Sequence, residues 1–391
     1  MRANYPLLLL PSVIITLALA QWPALGQGTT EVKRPDRLSN LREVLTPPEW
    51  ERIDRSVEQA LTWLATQQQE DGSFPTRAQG QPAVTSLCVL AYLSAGHQPG
   101  EGRYGPAINR AIDFVLECQQ ADGLFSFMIP EAAHRHQGAS HTATYNHAIA
   151  GLMLTEVYGQ VSRERAAKVD PAVRLALTVS KRQQEVPPKT DPKDKGGWRY
   201  MYAIDTSRSD LSVTGWQLMF LRSAKNAQFD IPDQMVQDAV AYVESLYQPE
   251  RGEFFYGHST AYNNDRYASR GVMGAGALSL ALAGKHDTAM ARKVGDWLLA
   301  RPFDTYGATM HRYDRFHYSA YYCSNAMAQL GGAYWQKFFP TLAKTLVDAQ
   351  APDGSWLAES GEDRAYGSCY PTALSVLTLT PAYQLLPIYQ R

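Results

Sequence analysis

The residues best suited to chemistry in this 391-residue chain sit in short polar stretches just ahead of apolar runs. SDLSVTGWQ carries Asp210, an acid that could donate a proton if its surroundings raise its pKa, or cap the helix behind it. HTATYNHAIAG supplies Tyr145 and His147, YASRG follows Arg266, and FHYSAYYC supplies Tyr318 and Tyr322. His147 and Tyr318 are the residue types of a general base, and Arg266 could neutralise an acidic ligand. Trp216, Tyr145 and Tyr322 offer aromatic faces on which a cation or an apolar ligand can rest. His317, Cys323 and Cys369 lack diagnostic metal-ligand spacing, so no metal site and no cofactor are expected.

The elements that must position these residues are repeats. Gln-x-x-x-Gly-x-aromatic recurs as QQEDGSF from Gln68, QQADGLF from Gln119, QPERGEF from Gln248 and QAPDGSW from Gln350. A further copy is stretched: Gln184 is followed by the polar insert EVPPKTDPKDK before Gly196-Gly197-Trp198, and DTYGATM around Gly307 is a degenerate copy. Gly allows a tight turn, Gln can bond helix-terminal backbone and the aromatic can pack on the next helix, so these units read as structural ties.

Each copy follows an amphipathic stretch and precedes a more apolar one. VEQALTWLATQQ places Val57, Ala60, Leu61 and Leu64 on one stripe, the pattern of an outer helix, whereas AVTSLCVLAYLSAG is apolar nearly all round, the pattern of an inner one. Six such pairs predict an all-α fold, an α6/α6 toroid, because no hairpin can bury its inner helix alone and closing the ring removes two open ends. The candidate chemistry then falls where the inner helices begin.

The chain resembles the prenyltransferase and squalene-oxidase repeat family, the toroids that include squalene-hopene cyclases and protein prenyltransferase β subunits. Its recurring unit is similar to their QW motif, and YNHAIAGLMLTEVYG, DLSVTGWQLMFLRSAK and the terminal YQLLPIYQR resemble exported members from bacteria such as planctomycetes. The resemblance implies an isoprenoid in a central cavity, protonated by an Asp. Asp210 is the nearest match to that acid, although SDLSVTG has one Asp where the family's DxDDT has three; Asp205 lies just upstream. The zinc triad of the prenyltransferases is missing, with Ser319 where their His would stand. Two other readings stay open: a polysaccharide lyase-like toroid using His147 or Tyr318 with Arg266 and Arg270, and a non-catalytic toroid that binds a hydrophobic or glycan small molecule.

Composition fits one large globular domain: 45% of residues are hydrophobic and 19% charged, and 37 basic residues against 38 acidic ones leave a formal charge of −1. No basic stripe suggests a nucleic-acid partner. Leu7 to Ala20 is apolar, follows a single Arg and ends near small residues, which predicts a signal peptide at 1–26, a flexible N-terminal segment at 27–45, a toroid at 46–391 and a secreted or periplasmic protein. No stable membrane span is expected in the mature chain. Four cysteines, Cys88, Cys118, Cys323 and Cys369, leave a disulfide and buried thiols both open, and the oligomeric state is not readable.

Overall fold

The computed structural model describes residues 41–135, 138–185, 189, 191–202, 208–259, 268–311, 313–358 and 361–390, all within one compact unit. The expected signal peptide, Asp205 and Arg266 lie outside the described residues.

Six outer helices alternate with six inner ones. The outer set is α1 (Pro47–Gln67), α3 (Gly105–Glu117), α5 (Arg163–Glu185), α7 (Asp233–Ser245), α9 (Ala289–Leu299) and α11 (Gly332–Asp348). The inner set is α2 (Ala83–Ser94), α4 (Ala139–Val157), α6 (Leu211–Asn226), α8 (Arg270–Leu282), α10 (Phe316–Leu330) and α13 (Cys369–Leu379), with a four-residue helix α12 (Gly361–Arg364) before the last. The predicted stripe of α1 is buried at Val57, Ala60, Leu61 and Leu64, and all twelve residues of α2 are buried, as a helix walled on every side requires.

The inner helices pack in the cyclic order α2, α4, α6, α8, α10, α13 and back to α2, so the ring is closed. The recurring Gln ties each outer helix to the next. Gln68 Nε2 donates to Gly72 O (3.0 Å) and to Ala107 O in α3 (2.8 Å), and Gln119 repeats this with Gly123 O and Ala172 O. Gln184 does so with Gly196 O and Met235 O, each at 2.8 Å. Gln350 reaches Gly354 O and, across the seam between the last repeat and the first, Ser56 O in α1, again at 2.8 Å. The matching glycine must be glycine: Gly196 has φ +88°, and a Cβ there would stand 2.1 Å from Asp238 O.

Two segments differ from expectation. Residues 41–45, expected to be flexible, hold a 3-10 turn (Leu41–Val44) whose buried Leu41 accepts a bond from Trp335 Nε1 (2.8 Å). The insert EVPPKTDPKDK, whose polar composition alone would leave it in solvent, is partly anchored, with Asp194 buried and Lys189 donating to Arg208 O (2.6 Å). Burial pulls the Lys189 pKa down to about 8.

The C-terminal segment closes the end of the ring where inner helices finish. Asn226 donates to Pro387 O (3.1 Å), Ile388 N to Glu156 Oε2 (3.3 Å) and Gln329 Nε2 to Tyr389 O (2.9 Å), while the Tyr389 and Tyr321 hydroxyls lie 2.8 Å apart.

Candidate functional site

The opposite end of the ring, where inner helices begin, gathers half-buried tyrosines. Tyr145 Oη on α4 donates to Ser212 Oγ on α6 (3.0 Å), and Ser212 Oγ lies 2.5 Å from Tyr318 Oη on α10, so one hydroxyl chain joins three inner helices. Beside it, His141 packs on Tyr200 with ring centroids 3.7 Å apart, and the Tyr200 and Tyr256 hydroxyls are 3.0 Å apart. Tyr366 and Tyr370 continue the rim around α13, next to the Arg315–Asp363 pair, whose Nε–Oδ1 distance is 2.5 Å. Burial raises every phenol in the Tyr145, Tyr256 and Tyr370 positions, and pushes Tyr318 up to about 12. These hydroxyls are neutral donors and acceptors at ordinary pH, not bases.

Asp210 lies beneath this cluster, fully buried. Its backbone continues from the Trp198 turn through an N–H bond to Trp198 O (2.9 Å), and its Oδ1 accepts Val213 N–H (2.8 Å), the geometry of an N-cap. Oδ2 faces Arg199 Nη1 at 3.2 Å, and the Tyr256 hydroxyl donates to the same carboxylate. Burial raises its pKa to about 6 against the opposing pull of Arg199 and these bonds. The acid is therefore cap and ion-pair partner at once, linked through Tyr256 and Tyr200 to the half-buried rim.

The other sequence candidates are spread differently. His147 is wholly buried, and its Nδ1 accepts Phe125 N–H (3.2 Å) while Nε2 lies 3.1 Å from both Ala176 O and Ser180 Oγ. Three other repeats explain that role: the Thr85, Thr214 and Thr372 hydroxyls each accept the N–H of the motif aromatic, Phe74, Trp198 and Trp356, at 3.0 Å. His147 substitutes for a threonine in a structural tie, and burial lowers its pKa to about 4. Both nitrogens are engaged in the wall, so the geometry gives it no free nitrogen to act as a base.

Trp216, 2% exposed, stacks on Tyr321 at 5.5 Å and meets the edge of Tyr322 at 5.4 Å, forming a packed floor across the ring. Tyr322 is part of that floor rather than the rim. Arg270 is also structural: Nε bonds Asp314 Oδ2 (3.0 Å), Nη1 Pro302 O and Nη2 Ala308 O. His317 turns to the Tyr306 hydroxyl (3.0 Å) and Cys323 to Arg270 O (3.2 Å), so the weighed His317, Cys323 and Cys369 trio does not assemble. Among the described residues, no group of three or more His, Cys, Asp and Glu side chains is placed to hold a metal ion.

Sequence reasoning missed Arg199, Tyr200, Tyr256 and Ser212. The available signal was position: Arg199 and Tyr200 directly follow the motif tryptophan, and Tyr256 follows the motif phenylalanine by two residues, so both tyrosines enter the same end of the ring.

The fold and this site define a class: a closed α/α toroid with a cluster of half-buried tyrosines where its inner helices begin. Residues 38–188 match the model of the prenyltransferase alpha-alpha toroid domain. No curated protein matches the sequence. Among solved structures, an inactive variant of an α-1,6-mannanase from Salegentibacter is similar, with 11% identity, TM-score 0.58, and 85% of this chain and 99% of that one covered. A type II terpene cyclase from Scytonema, solved with geranylgeranyl dihydroxybenzoate, has 14% identity and TM-score 0.55 over 88% of this chain and 100% of its own. A D-mannose isomerase has 13% identity and TM-score 0.58 over 85% and 97%. At these identities the likeness is one of fold, shared by enzymes of isoprenoids and of sugars. No helix among the described residues is long and apolar enough to cross a membrane.

Proposed function

We propose that the protein is a terpene cyclase-like toroid that takes an isoprenoid chain into the tyrosine-lined mouth. One observation carries this reading. Five of the large apolar side chains left exposed, Phe127, Met128, Ile129, Met310 and Leu357, lie on the loops that lead into α4, α10 and α13, at the same end as the tyrosine cluster. Exposed apolar side chains collected at one end of the ring favour an apolar ligand over a freely hydrated one. The buried charges near the mouth are paired, Asp210 with Arg199 and Arg270 with Asp314, which leaves its interior to phenol rings and hydroxyls.

In this reading the tyrosine and tryptophan faces hold the chain and would stabilise positive charge developing on it. Asp210 is the group through which a proton would be delivered, by way of Tyr256 and Tyr200. Its donors, the Val213 and Ser212 N–H groups, Arg199 and Tyr256, favour the carboxylate, so binding has stronger support than alkene protonation. The lyase reading has less: burial raises Tyr318 and lowers His147, each away from the pKa of a neutral-pH base. Export, as a secreted or periplasmic protein, remains part of the proposal on the N-terminal sequence alone.

The test is native mass spectrometry of the protein with squalene, a geranylgeranyl aromatic ester and a mannose oligosaccharide, with products followed by gas chromatography. An isoprenoid complex weakened about tenfold in Ser212→Ala, as expected for loss of one half-buried hydrogen-bonding group, supports the reading. Turnover lost in Asp210→Asn while binding persists would assign Asp210 the proton. Binding of the oligosaccharide alone would overturn the isoprenoid reading.

A further inference from the structure

We propose that Cys88 and Cys369 are a redox-formed staple that locks the toroid at its seam. Closing a ring places the first repeat against the last, and α2 packs directly on α13 although the two cysteines are 281 residues apart in the chain. Cys88 lies midway along α2, the first inner helix, and Cys369 opens α13, the last. Their side chains are in hydrogen-bonding contact, and Cys88 Sγ is 4.0 Å from Cys369 O. Both are buried free thiols.

The other cysteines have different surroundings. Cys118 follows the last residue of α3 and lies near Glu117 and Asp71, and Cys323 donates to Arg270 O. Elsewhere the seam is held by non-covalent ties on its outer side: Gln350 to Ser56 O, and the exposed Arg52–Asp348 pair at 2.7 Å. A surface pair of that kind adds little. A covalent link between Cys88 and Cys369 would close the longest loop that any two of the four cysteines can close, where cross-linking restricts the unfolded chain most.

The oxidant is a small-molecule disulfide such as glutathione disulfide. The Cys88 thiolate attacks one of its sulfurs, releasing one glutathione thiolate and forming a mixed disulfide. The Cys369 thiolate then attacks the Cys88 sulfur, releasing the second glutathione thiolate; the two protons lost by the cysteines are taken up by the glutathione thiolates. Two thiols are oxidised and one disulfide is reduced. Burial pushes the Cys88 thiol well up and screens it from solvent, so exchange belongs to the folding chain or to an opened seam rather than to the closed ring.

The experiment refolds the full chain with glutathione disulfide or with reductant and compares intact mass, non-reducing peptide maps and thermal unfolding. We expect the oxidised sample to be lighter by two hydrogens, to show the Cys88 and Cys369 peptides joined, and to unfold several degrees higher. The Cys118→Ala/Cys323→Ala double variant should still form the bridge, and Cys369→Ala should not. Should Cys369→Ala fail to fold, the peptide map of the wild-type chain decides alone. A folded, oxidised protein that still yields four alkylatable thiols after denaturation, or a bridge through Cys118 or Cys323, would overturn the proposal.

Discussion

His147→Thr is the substitution that best separates a wall residue from a catalytic one. Thr at this position is what three other repeats already use, so the new hydroxyl should still accept Phe125 N–H. What is lost is the rest of the imidazole, packed between Phe125 and Phe220, and the Nε2–H bond shared by Ala176 O and Ser180. One lost hydrogen bond plus a small cavity costs about 3 kcal/mol at pH 7. The pH dependence is the sharper readout. Burial lowers the pKa from 6.5 to about 4, so the unfolded chain takes up a proton that the folded one resists. That contribution is fully present above about pH 6.5 and lost as pH falls through about 4, and 2.5 pH units correspond to about 3 kcal/mol. Urea unfolding followed by far-ultraviolet circular dichroism at pH 7 and pH 4 should therefore show wild type and variant converging at the lower pH. Equal pH slopes in the two proteins would refute the argument, and loss of turnover without loss of stability would return His147 to the list of bases.

The remaining predictions concern the frame of the ring. Gly196→Ala places a Cβ in left-handed backbone and against Asp238 O, so unfolding free energy should fall by more than about 3 kcal/mol; a change under 1 kcal/mol in denaturant titration would show that α7 yields freely. Glu156 holds Ile388 N–H and Ser223 where inner helices end, and burial raises its pKa from 4.5 to about 7. The folded chain thus keeps a proton that the unfolded one releases, a contribution present below about pH 4.5 and lost as pH rises through about 7. Glu156→Gln should flatten that decline by about 3 kcal/mol between pH 4.5 and pH 8, measured against wild type in the same titration; an unchanged slope would place the titration elsewhere.

Much of the frame is readable in the chain because its causes are local or periodic. Gly72, Gly123, Gly196 and Gly354 announce turns that only glycine makes easily, and the Gln four or more residues earlier announces the tie. The contrast between one apolar stripe in α1 and uniform burial in α2 follows from side-chain spacing, so two helical layers and their order are fixed by pattern alone. The site is less readable. Nothing near His147 in sequence shows that it stands in for Thr85, Thr214 and Thr372, because that equivalence exists only once Phe125 is folded against α4.

What the sequence determined by itself is an α/α toroid of six helical pairs with its chemistry-bearing residues at the starts of inner helices. Only the tertiary structure decided which of them share an environment. Ser212 meets Tyr145 and Tyr318 from positions 67 and 106 residues away, and Cys88 meets Cys369 across the seam. Periodicity tells a helix which face to bury, but partners across a closed ring are chosen by its closure, a long-range condition that no local stretch encodes. For Asp210 the consequence is specific: the sequence offered a cap or an acid, and folding gave the cap an arginine, a tyrosine and a path of hydroxyls to the mouth.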